Sequence, residues 1–93
     1  MQEQLPQLLT QLANSTESWE QVHQKITKII AEMQQNRFEA LLQLLYRLDV
    51  SEQKVKQKTS EVPPEQWAAT VATLIIEREQ ERMYWRNKYK NFN

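Results

Sequence analysis

The sequence predicts an all-α protein, a small bundle of four to five helices with a long C-terminal helix, and three observations carry that expectation. The chain has no glycine, the residue that tight hairpin turns use for positive φ. Its apolar residues recur at three- and four-residue spacing, the period of one helix face. Capping residues stand where several of those runs begin, notably Asn36, Ser51 and the Val62-Pro63-Pro64 step.

Leu5, Leu8 and Leu12 open the pattern and predict a first helix to about Ala13. Pro6 is tolerated there because the first turn needs no N–H donor. Asn14-Ser15-Thr16-Glu17-Ser18 then gathers weak helix formers, and Ser18 with Gln21 has capping-box spacing, which reads as a corner. Trp19, Val22, Ile26, Ile29 and Met33 continue the same stripe, so one helix running through 14–18 is the alternative. The second helix extends to about Gln35. Asn36 and Glu39 again stand at capping-box spacing, placing a corner at 34–36 before Phe38, Leu41, Leu42, Leu45 and Leu48. Without a corner, Met33, Arg37, Leu41, Leu44 and Leu48 share one face of a single rod from Thr16 to Leu48.

Ser51 as N-cap puts Val50 and Val55 in the positions of a hydrophobic staple, and a short helix follows to about Thr59. Pro64 suits the first position of the last helix, with Val62 placed to staple onto Trp67. No breaker follows before the C-terminus. From Pro64 to Lys90 that helix is about 40 Å long, more than the core of so small a domain needs. Residues 1–93 therefore read as one helical domain with 77–93 as an extension that projects or meets a partner.

A chain of 93 residues buries only about 60–65% of its unfolded surface, which makes a monomer marginal. The absence of cysteine excludes disulfides and thiolate metal sites. Twelve basic and twelve acidic side chains cancel, so no whole-molecule field attracts nucleic acid or anionic lipid. Met1-Gln2-Glu3-Gln4 lacks the basic start of a signal peptide, and no apolar run approaches the roughly 18 residues of a membrane span. A cytoplasmic protein is the expectation.

One histidine, no cysteine and no glycine loop argue against an enzyme, a cofactor or a metal site. His23 has no second histidine at ligand spacing and reads as a surface or boundary residue. Glu77, Glu79 and Glu81 interleave with Arg78 and Arg82, the pattern of solvent-facing ion pairs. Interaction residues are easier to name. Leu41, Leu44, Leu45 and Leu48 belong to a helix apolar around more than half its circumference, covered either by neighbours in the monomer or by a second copy. Trp85, Tyr89 and Phe92 resume the stripe of Trp67, Val71, Leu74 and Ile75, and can dock on the N-terminal helices or on another chain. Lys54, Lys56 and Lys58, with Arg86, Lys88 and Lys90, form the alternative, a basic-aromatic patch for nucleic acid. The leading expectation is a protein-protein interaction or self-association module, a homo-oligomer or the partner of another protein. The alternative is a small nucleic-acid-associated regulator.

The segment Phe38-Glu-Ala-Leu-Leu-Gln-Leu-Leu-Tyr-Arg-Leu-Asp-Val-Ser-Glu52, with Leu74-Ile-Ile-Glu-Arg78, resembles short uncharacterised bacterial helical proteins. The resemblance implies a small bacterial cytoplasmic protein and carries no functional residue over.

Overall fold

The computed structural model describes residues 18–90. They form four α-helices: α1 (Trp19–Asn36), α2 (Phe38–Arg47), α3 (Glu52–Ser60) and α4 (Trp67–Lys90), the last entered through a 3-10 turn, Pro64–Gln66. The described residues contain no strand. The helix expected from Leu5 to Ala13 and the aromatic Phe92 lie outside the described residues.

Helix α1 starts at a reciprocal capping box. Ser18 is extended, with φ −71° and ψ 154°. Its Oγ accepts the Gln21 N–H at 3.2 Å, while Gln21 Oε1 accepts the Ser18 N–H at 3.3 Å. That extended residue ends the reading of one helix through 14–18. The other end of α1 corrects the placing of its corner. Asn36 is the last residue of α1 rather than a cap of α2, because its side-chain amide is engaged by Glu32 one turn back, at 3.2 Å. The break falls at Arg37 (φ −147°, ψ 56°), which caps α2 without a side-chain bond. Its guanidinium also pairs with Glu32. The single rod from Thr16 to Leu48 is therefore absent. Folding back at Arg37 lets Leu41, Leu44, Leu45 and Leu48 join the apolar face of α1 instead of extending into water.

Helix α2 ends in a Schellman motif built without glycine. Asp49 takes the left-handed conformation at φ 59°, tolerated by its short polar side chain. Its N–H donates to the Tyr46 carbonyl at 3.1 Å, and the Val50 N–H reaches back to Leu45 at 3.0 Å. Ser51 then caps α3, its Oγ accepting the Lys54 N–H at 3.3 Å. No residue of α3 is fully buried, although Val55 is half-buried against the core.

The core consists of Val22, Ile26, Ile30 and Met33 from α1, Leu41, Leu44 and Leu45 from α2 with its C-cap Leu48, and Ala68, Val71, Ala72, Ile75 and Ile76 from α4. No described polar or charged residue is buried with them. Its main seam is α1 on α4. His23 Nε2 lies 2.9 Å from the Ala69 carbonyl and 3.0 Å from Thr73 Oγ1. A carbonyl only accepts, so Nε2 carries the proton and donates across the seam. Beyond Ile76 no described residue of α4 is buried.

Candidate interaction surface

Two arginines of α4 anchor it where it leaves the core. Arg78 Nε donates to the Asp49 carbonyl at 3.1 Å, and its Nη2 meets Asp49 Oδ2 at 2.7 Å. One turn on, Arg82 Nη2 donates to the Leu48 carbonyl at 3.0 Å. Cations are thereby placed against the exposed carbonyls of the α2 C-terminus, where the helix dipole is negative. The Arg78 guanidinium, by hydrogen bond and then by charge, holds the Asp49 carboxyl below the usual aspartate range, and Asp49 raises Arg78 in turn. The ion pairs expected along the helix are thus subordinate. Arg78 does reach Glu81, but at 3.4 Å, and Arg82 is committed to Leu48. Glu79 pairs with Arg86 at 3.3 Å.

Past this anchor the helix carries an aromatic group. Tyr84 is 59% exposed, Trp85 42% and Tyr89 67%. The Tyr84 and Trp85 ring centroids are 5.5 Å apart in an edge-to-face arrangement, and Trp85 and Tyr89 are 6.1 Å apart. Lys88 Nζ lies 5.2 Å from the Trp85 centroid and 5.9 Å from that of Tyr84. Such contacts order the rings relative to one another while leaving much of their area in water.

The remaining site residues separate. Leu41, Leu44, Leu45 and Leu48 are buried inside the monomer, so they cannot form a partner surface. Their inward face is already satisfied by α1 and α4. What α2 turns outward is Phe38, Leu42 and Tyr46, four residues apart, with Phe38 tilted against Trp67 at 6.3 Å. Lys54, Lys56 and Lys58 are exposed on α3, and Lys56 pairs with Glu52 at 3.5 Å. Lys54 lines an open cleft of about 310 Å³ with Asp49, Arg78, Glu77 and Glu81. Three carboxylates therefore stand beside Lys54, where a continuous basic patch would need cations. Lys90 closes α4.

Among the described residues no His, Cys, Asp and Glu cluster could hold a metal ion, and no helix is long and apolar enough to cross a membrane. Comparison with protein-family models, with curated proteins and with solved structures finds no match to this chain.

Proposed function

We propose that the chain is a non-enzymatic helical module for protein-protein contact or self-association, and that the aromatic end of α4 is its contact surface. One observation carries the reading: Tyr84, Trp85 and Tyr89 touch one another on a helix that has already left the core. Isolated apolar side chains on a surface are ordinary, but contiguous rings form a patch. Burying a large apolar side chain contributes about 1.5–3 kcal/mol, and Tyr and Trp dominate the centres of interfaces. The leucines of α2 support the reading indirectly, since their burial gives the monomer a core that does not need these rings.

A nucleic-acid role is the second reading, favoured by Lys88 beside two exposed rings, a platform on which bases stack. It is the weaker one because Glu77 and Glu81 precede the platform and separate it from Lys54. Replacing Trp85 with a photo-crosslinking phenylalanine analogue in cells, with Gln57 on α3 as the control position, tests both readings. Protein adducts from position 85 and not from 57 are expected. Adducts removed by nuclease establish the second reading instead, and no adduct from 85 refutes the first.

A further inference from the structure

We propose that the partner of this face is a second copy of the chain, and that two α4 ends pair antiparallel about a two-fold axis between Tyr84 and Trp85. This rests on the contact reading above. At about 100° per residue, Glu77, Glu81, Tyr84, Trp85, Lys88 and Tyr89 fall within about 140° of one another. The rings thus share their face with Glu77 and Glu81 on the N-terminal side, where Arg78 also lies but is held by Asp49, and with an ammonium on the C-terminal side. Neither Glu77 nor Lys88 has an ion-pair partner among the described residues. Glu81 has only the 3.4 Å contact to Arg78, with its side chain 57% exposed.

That polarity selects the orientation. Rotating a copy about the midpoint of Tyr84 and Trp85 sets Glu81 opposite Lys88 of the second copy, and Lys88 opposite its Glu81. The same operation sets Tyr84 against Trp85 of the copy, twice, in the centre. A parallel pairing sets Glu81 on Glu81 and Lys88 on Lys88, which repel. A foreign partner would have to present the reverse gradient around its own rings, whereas a second copy supplies it by symmetry.

Sedimentation velocity over a range of concentrations on the full chain, Glu81→Lys, Lys88→Glu, their equimolar mixture and the double variant tests the pairing. The wild type should dimerise. Each single variant places like charges at both ends of the seam and should weaken association by roughly tenfold or more. The mixture should recover it, because the first variant is positive at both positions and the second negative at both, so that opposite charges meet at each end of the mixed seam. The double variant, which exchanges the two charges, should recover it alone. Each single variant carries the same charge at 81 and 88, so recovery in the mixture cannot come from an ion pair within one chain. Circular dichroism of Lys88→Glu, which lies beyond the core, excludes misfolding as the cause. A wild type that stays monomeric, or single variants that dimerise normally or fail to recover on mixing, overturns the proposal. A monomer that crosslinks from position 85 to another protein overturns the self-pairing alone, and a monomer with no crosslink overturns the contact reading as well.

Discussion

Replacing Leu41 and Leu42 separately by alanine distinguishes two neighbours that the sequence presents as alike. Leu41 is 0% exposed and Leu42 is 49% exposed. Each change removes three carbons, worth about 2.4 kcal/mol of transfer free energy at about 0.8 kcal/mol per buried methylene. For Leu41 the whole amount applies, and the space left among core side chains adds a cavity cost, which brings the loss to about 3–4 kcal/mol. For Leu42 roughly half the transfer term applies, water fills the gap, and alanine is a slightly better helix former, leaving about 1 kcal/mol or less. In a chain of this size the difference corresponds to roughly 10–20 °C in melting midpoint. Urea denaturation followed by far-ultraviolet circular dichroism reads it directly. Two protein concentrations are needed, because association stabilises by mass action. Equal midpoints, or a larger loss for Leu42→Ala, would show that α2 presents its other face to the core.

Two further outcomes follow from the same contacts. His23→Ala should cost about 0.5–1.5 kcal/mol in a denaturant melt, because it removes the donor to the Ala69 carbonyl. This is more than a boundary histidine is expected to cost, and an unchanged midpoint would deny the bond a net role. Asp49→Asn should destabilise near neutral pH and progressively less in acid. The folded-state carboxyl is held below its unfolded value by Arg78, so its contribution is complete above the unfolded value and fades as pH falls through the folded one. A gap between variant and wild type that persists unchanged below the aspartate range would refute that linkage.

Local chemistry made much of this fold readable. Ser18 with Gln21, Ser51 and Pro64 mark their elements because a cap or an N–H-free ring acts within a few residues of itself. Asn36 misled for the same reason, since capping-box spacing says nothing about Glu32 on the preceding turn, which takes the amide. The absence of glycine pointed to helices, yet it did not remove the left-handed residue from the end of α2. Asp49 fills that position, and the conformation turns its carbonyl and carboxylate toward Arg78, 29 residues away.

The candidate surface was harder to read because a helix that is apolar all round does not declare which side the molecule will cover. Leu41 and Leu42 have the same hydrophobicity and opposite fates, decided by where α1 and α4 lie. The aromatic end of α4 posed the reverse difficulty. Trp85 and Tyr89 continue the spacing of Val71 and Leu74, and spacing alone carries them into the core with those residues. Burial on a helix ends, however, where the opposing elements end. The arginines at 78 and 82 already face the last carbonyls of α2, and past them the same stripe emerges into water. The boundary between core and contact surface along α4 therefore lies just past Ile76, and the two arginines that anchor the helix mark it.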